Sequence, residues 1–101
     1  MRNIPYIEET MSILNGRWPV GLIYFLLNGP QRFSDLQKVM PSISTRMLTL
    51  NLRKLQKRGI VTRMVYPDSP VKVEYRLTPE GEALRPVIHE IVLCGQKLHR
   101  A

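Results

Sequence analysis

The residues best suited to chemistry are the basic side chains in and around the stretch ISTRMLTLNLRKLQKRG, residues 43–59. No Asp or Glu occurs between Leu36 and Pro67, whereas seven Lys or Arg residues do, a number equal to the formal net charge of +7. Basic side chains neutralise phosphates, and an arginine can make paired hydrogen bonds to guanine. Solvated helix faces usually mix charges of both signs. The pattern therefore favours a nucleic-acid partner over a merely solvated surface.

A helix that ends at Arg58 and Gly59 would position these side chains. At about 100° per residue, Leu48, Leu52 and Leu55 fall on one side, which predicts a face packed against the core. The rest of the helix is predicted to contact DNA through Ser44, Thr45, Arg46, Thr49, Leu50, Arg53, Lys54 and Lys57.

Leu50 allows two interpretations, because it is apolar and lies on the side assigned to DNA. It either contacts a thymine methyl group or is simply exposed or packed against a neighbouring element, as surface leucines often are.

Capping signals and periodicity predict the other elements in outline. The expected elements are a helix over 5–14, an apolar helix from Pro19, a short helix from Ser34 with Gln37 as its capping box, the basic helix capped by Ser42 or Ser44, strands within 60–66 and 71–77, and a long last helix from Thr78-Pro79 toward Leu98. The fold class is mainly α with a small β-hairpin (α+β). Tight joining of the third and fourth helices before a hairpin is winged helix-turn-helix architecture. We expect one domain over 1–101, with the helix-turn-helix at 34–58 and the wing at 60–77.

The hairpin carries Lys72, Glu74 and Arg76 on one face of its second strand. Lys72 and Arg76 can reach a minor groove or flanking phosphates, although Glu74 dilutes their charge. A plain solvated strand is the alternative.

The last helix has a wide apolar face. A helix of about 20 residues is about 30 Å long, more than so small a domain covers, which favours dimerisation over packing on the chain's own core. The residues of that face are Leu84, Val87, Ile88, Ile91, Val92, Cys94 and Leu98. Within such a stripe Cys94 is expected to be buried and inert, with a redox or intersubunit role as the alternative.

Several classes of protein are disfavoured by what the sequence contains. The single cysteine gives no disulfide framework, and the scattered His and Cys residues give neither a metal site nor a nucleophile–base pair. We therefore expect no enzyme activity, no metal and no cofactor. The longest apolar run, WPVGLIYFLL, is half the length that spans a bilayer, and no signal peptide is evident. The expected location is the cytoplasm, without membrane contact.

The motifs LNGRW, GPQRFSDLQ, ISTRMLTLNLRKLQKRGIVTR and YPDSPVKVEYRLTPEG, in this order, resemble the HxlR-type winged helix-turn-helix transcription regulators over about residues 6–95. The resemblance implies a homodimer on DNA, a recognition helix over 44–58, a wing around Lys72, and a dimer held by the first and last helices (1–15 and 79–99), with Ile7 and Met11 in the interface. Many such regulators carry a cysteine just before the N-terminal proline, and some use it to sense oxidants or electrophiles. Here Ile4 precedes Pro5, so thiol sensing at that position is not implied.

The sequence thus predicts a regulator that binds double-stranded DNA sequence-specifically, as a homodimer on a pseudo-palindromic operator. The alternative is a winged-helix module that binds protein or RNA without operator specificity. No small-molecule effector is specified.

Overall fold

The computed structural model describes residues 2–68 and 70–100. Within them the elements are α1 (Ile4–Leu14), α2 (Pro19–Leu26), α3 (Phe33–Val39), α4 (Thr45–Lys57), β1 (Val61–Tyr66), β2 (Lys72–Leu77), α5 (Pro79–Glu82) and α6 (Arg85–Arg100). The mainly helical fold with a β-hairpin is confirmed.

The core is built around the apolar helix α2. Leu22, Ile23 and Leu26 are almost completely buried there. They pack with side chains from α3, α4 and α6, of which the most deeply buried are Leu36, Leu48, Leu52 and Ile88. Most of this helix can be apolar because other elements pack against it, whereas Tyr24 is exposed.

Helix α4 forms where its caps and apolar stripe predict it. The Ser44 hydroxyl accepts a hydrogen bond from the Met47 N–H at 3.1 Å, and Gly59 follows the helix with a φ of +73° that favours glycine. The predicted stripe is confirmed, since Leu48, Leu52 and Leu55 are at most 2% exposed. Asn51 is buried beside them and donates its side-chain amide to the Met47 carbonyl at 2.8 Å.

The predicted capping box of α3 is wrong by two positions. The helix begins at Phe33, and the Asp35 carboxylate accepts the Arg32 N–H at 2.9 Å. Because the helix starts two residues earlier than predicted, Ser34 lies within its first turn, past the capping position. Gln37 instead donates its side-chain amide to Thr45 Oγ1 at 3.1 Å, which links α3 to the first turn of α4.

The wing is an antiparallel pair in which Val61 lies opposite Leu77 and Tyr66 opposite Lys72. Paired backbone hydrogen bonds between Gln31 and Tyr75, at 2.9 and 2.8 Å, fasten the hairpin to the loop before α3. The orientation of the wing relative to the helices is therefore set by backbone as well as by side-chain packing.

The single long C-terminal helix predicted from the sequence is two helices in the structure, α5 and α6, with Ala83 and Leu84 between them. Thr78 caps α5 as predicted, because its hydroxyl accepts the Gly81 N–H at 3.1 Å. Pro86 explains the break. It has no N–H to donate to the Glu82 carbonyl, and its ring would clash with that carbonyl in a continuous helix. No helix in the described part of the chain is long and apolar enough to cross a membrane.

Candidate nucleic-acid interface

The exposed side of α4 brings together most of the side chains that the sequence assigns to DNA. Arg46, Arg53, Lys54 and Lys57 are all exposed. Among the described residues the basic partners in ion pairs are Arg58, Lys72 and Arg85, so none of these four is compensated by a carboxylate. Four uncompensated charges on one 13-residue helix give this side a positive potential that attracts phosphate.

The hydroxyl residues near the start of α4 are already engaged within the chain. Ser44 caps the helix, Thr45 accepts from Gln37, and the half-buried Thr49 donates to the Thr45 carbonyl at 2.9 Å. These bonds orient the hydroxyls and reduce what they can offer a ligand. The two arginines are therefore the side chains on this face best placed for new hydrogen bonds.

Leu50 is 42% exposed and is not among the residues packed against the core. Leu50 is therefore not part of the chain's own core. Contact with a thymine methyl group, packing against a neighbouring element and simple exposure stay the interpretations of this residue.

Arg58 differs from the other basic residues of this region because it is held inside the chain. Its Nη2 lies 2.9 Å from a carboxylate oxygen of Glu9, and its Nη1 donates to the Ser12 hydroxyl at 2.9 Å. The pair fastens the C-terminal end of α4 to α1. Sequence reasoning missed this contact, because nothing local relates residues 49 positions apart.

The wing offers one free and one engaged basic residue. Lys72 Nζ lies 3.2 Å from Glu74 Oε2 and 5.4 Å from the centroid of the Tyr66 ring. Arg76 is exposed and takes part in no ion pair among the described residues. Of the two basic residues predicted on the wing, Arg76 is thus the one whose charge is available.

The residues assigned to a dimer surface divide into two groups. Leu84 and Ile88 are 9% and 0% exposed within the chain's own core, which corrects their assignment to that surface. The exposed members are Ile7, Met11, Val87, Ile91, Val92, Cys94 and Leu98. Cys94 is exposed in the single chain, so the burial predicted for its thiol would require a second copy that covers the stripe.

The exposed members on α6 lie on two flanks. Val87, Ile91, Cys94 and Leu98 follow one side of the helix and are called the apolar flank below, whereas Ile7 and Met11 lie together on α1. Val92 lies on the other side, facing a cleft against α2. No group of three His, Cys, Asp or Glu side chains suited to a metal occurs among the described residues.

Comparison with known proteins gives consistent results over most of the chain. Residues 13–100 match the family model of the HxlR-like helix-turn-helix. The HTH-type transcriptional regulator YvaP of Bacillus subtilis (strain 168) is 42% identical over 87 residues, which are 86% of this chain and 81% of YvaP. The oxidised form of the redox regulator HypR superposes with a TM-score of 0.86 at 41% identity, covering 90% of this chain and 94% of HypR. The reduced regulator YodB from B. subtilis gives 0.79 at 42% identity, covering 88% and 87%.

Proposed function

Because the chain belongs to the HxlR-like helix-turn-helix family of DNA-binding transcriptional regulators, we propose that it acts as a homodimer on a specific pseudo-palindromic operator in the cytoplasm. It is a regulator and not an enzyme. The observation that carries the proposal is the uncompensated basic side of α4. A helix of this width fits the major groove of B-DNA.

Within this proposal the basic residues of α4 have two different roles. Arg46 and Arg53 are seven residues apart, about two helical turns or roughly 10 Å along the axis, on one side of the helix. That spacing allows both guanidinium groups to reach base edges in one groove. Lys54 and Lys57 flank them toward the C-terminal end of α4, where ammonium groups neutralise phosphates without reading sequence.

The apolar flank supports the dimeric half of the proposal. From Ile91 to His99 no residue of α6 is buried, although Ile91 and Leu98 are apolar. Exposed apolar residues grouped in this way mark a surface for another protein. A second copy would cover it and place two α4 helices on one duplex, as the two-fold symmetry of helix-turn-helix operators requires.

HypR is described as a redox regulator, and YodB has been solved with bound quinone. We do not extend such a response to the N-terminal position of this chain, because Ile4 stands before Pro5 and the only cysteine is Cys94 on α6. Any thiol response would have to run through the apolar flank.

The roles of the α4 residues are tested by comparing alanine variants on selected DNA. The operator is first selected from random duplexes with the wild-type protein, and affinity is then measured by fluorescence anisotropy over a range of salt. Arg46→Ala and Arg53→Ala should each cost about 1–3 kcal/mol on the operator and relax base preference at one position. Lys54→Ala and Lys57→Ala should weaken binding to all duplexes alike and make the salt slope shallower by about 1.

Lys97→Ala is the matched control, since it removes an exposed lysine from α6 and not from the side of α4 proposed to contact DNA. It should leave the operator affinity unchanged. Unchanged affinity and base preference in both arginine variants would contradict the assignment of α4 to the major groove. An equally tight complex with competitor RNA would contradict a duplex-DNA operator.

A further inference from the structure

A cleft of about 440 Å³ separates α2 from α6 on the side of α6 that faces away from the apolar flank. Ile88, which is fully buried, forms part of its wall. Its other lining residues are Tyr24, Leu27, Asn28, Arg85, His89 and Val92. The volume lies within the range of small-molecule sites.

The walls of the cleft are formed by aliphatic side chains and by the aromatic ring of Tyr24. Leu27, Ile88 and Val92 give aliphatic contacts, and Tyr24 stands with its ring 5.1 Å from that of Phe25 in an edge arrangement. Exposed fractions of 44% for Tyr24 and 37% for Val92 leave both side chains free to contact a ligand. A flat apolar body fits such walls better than a sugar or a polyol, because it removes apolar surface from water.

The polar groups of the cleft favour an acceptor with negative charge. Arg85 is held in place by its Nη2, which donates to the Leu27 carbonyl at 3.2 Å and to the Glu82 carboxylate at 2.8 Å, and by its Nε, 3.3 Å from the same carboxylate. Among the described residues its Nη1 makes no hydrogen bond, and neither do the side chains of Asn28 and His89.

The guanidinium of Arg85 is therefore fixed in orientation, and the two N–H groups of its Nη1 are free to donate hydrogen bonds to a ligand. The Glu82 carboxylate compensates part of the Arg85 charge, so Arg85 Nη1 serves the cleft chiefly as an oriented hydrogen-bond donor, and no acidic side chain is among the residues that line the cleft. Hydrogen bonds between a guanidinium and a carboxylate are among the stronger ones in proteins.

We propose that this cleft binds a small aromatic carboxylate of one or two rings. The carboxylate bonds to Arg85 Nη1 with Asn28 or His89 beside it, and the rings lie against Leu27 and Val92 next to Tyr24. Because α6 also carries the apolar flank, a ligand held between α2 and α6 acts on the helix that presents the proposed dimer surface. Ligand binding is measured without DNA, so its failure is distinguishable from failure of the proposed operator binding.

Two probes of matched shape test the charge requirement. 2-Naphthoate and its uncharged analogue 2-naphthamide are titrated into the DNA-free protein by calorimetry. The wild type should bind the carboxylate about tenfold or more tighter than the amide, which corresponds to about 1.4 kcal/mol. Arg85→Gln should bring that ratio close to one. Lys97→Gln removes the same charge from the same helix outside the cleft and should keep the full ratio.

A second measurement locates the site and remains informative if Arg85→Gln folds poorly. In amide chemical-shift maps of the wild type, 2-naphthoate should shift Tyr24, Asn28 and His89 and leave α1 and α4 unchanged, and His89→Ala should weaken binding severalfold. Three results would each overturn the proposal: equal affinity of the wild type for the two probes, a loss of the carboxylate preference in Lys97→Gln as large as in Arg85→Gln, or chemical-shift changes confined to the basic side of α4.

Discussion

Gly81 is the residue at which the packing leaves least room for a side chain. A Cβ added there would overlap the Ile60 carbonyl oxygen and approach Leu77 Cδ2 at 3.0 Å. The backbone cannot move away easily, because the Thr78 hydroxyl holds the Gly81 N–H at 3.1 Å. We expect Gly81→Ala to lower the free energy of unfolding by about 1–3 kcal/mol, as overpacking does. Urea unfolding followed by circular dichroism measures the change.

Gly95→Ala is the control for this prediction, because the same methyl group added within α6 meets no atom within 4 Å. Alanine is the better helix former, so this variant should gain up to about 1 kcal/mol. A loss of stability of the same size in both variants would mean that space at Gly81 is not the cause.

At the residue scale, local periodicity could predict the core face of α4 but not its tertiary contacts. Leu48, Leu52 and Leu55 repeat with the period of a helix, and all three are buried. The pairing of Arg58 with Glu9 depends on how α1 packs against the end of α4, and no local pattern encodes it. A count of basic residues therefore overstated the free charge of this region.

For the two basic residues of the wing, Lys72 and Arg76, we predict unequal effects on DNA binding. Lys72 already shares its charge with Glu74, whose side chain is only 18% exposed, whereas Arg76 has no carboxylate partner among the described residues. If the wing lies along the duplex, Arg76→Ala should weaken binding to all sequences and reduce the salt slope by about 1. Lys72→Ala should have a smaller effect, because its positive charge is already partly compensated. Anisotropy titrations from low to moderate salt measure both.

Glu74→Ala completes this comparison, since it releases Lys72 from its ion pair. Binding should then become tighter and more dependent on salt, by an amount that is lost again in the double variant with Lys72→Ala. An equal effect of Lys72→Ala and Arg76→Ala in the wild-type background would contradict the unequal roles.

At the element scale, capping residues predicted most helix boundaries, and Pro86 explains the main error, which is the prediction of one C-terminal helix where the structure has two. Thr78-Pro79 correctly marks a helix start, and the apolar positions that follow keep a helical period, which led to the prediction of one long helix although Pro86 within it signals a break. Pro86 interrupts the backbone hydrogen bonds of that helix, and Leu84 and Ile88 turn into the core on either side of it. The periodicity survives the break, which is why the break was not predicted.

The whole molecule is elongated, with extents of 52 × 33 × 23 Å. Part of that length comes from α6, whose 16 residues extend about 24 Å, while its residues from 91 to 99 lie outside the core. An isolated helix end of this length is marginal in water, because most helical stability in proteins comes from packing of an apolar face. The homodimer proposed above would cover the apolar flank and so stabilise this end of α6.

We therefore predict a dimer at micromolar concentration that a single introduced charge dissociates. Ile91 is 42% exposed on the apolar flank, and Leu50, on the side of α4 assigned to DNA, has the same exposure of 42%. Ile91→Asp would bury an unpaired carboxylate in the dimer, at a cost of about 3–5 kcal/mol, and should raise the dimer dissociation constant by about 100-fold or more. Leu50→Asp places the same charge at equal exposure outside the flank and should remain dimeric while losing DNA affinity. Sedimentation velocity over a concentration series measures both, and a monomeric wild type, or equal dissociation in the two variants, would exclude the apolar flank as the surface that joins the two copies.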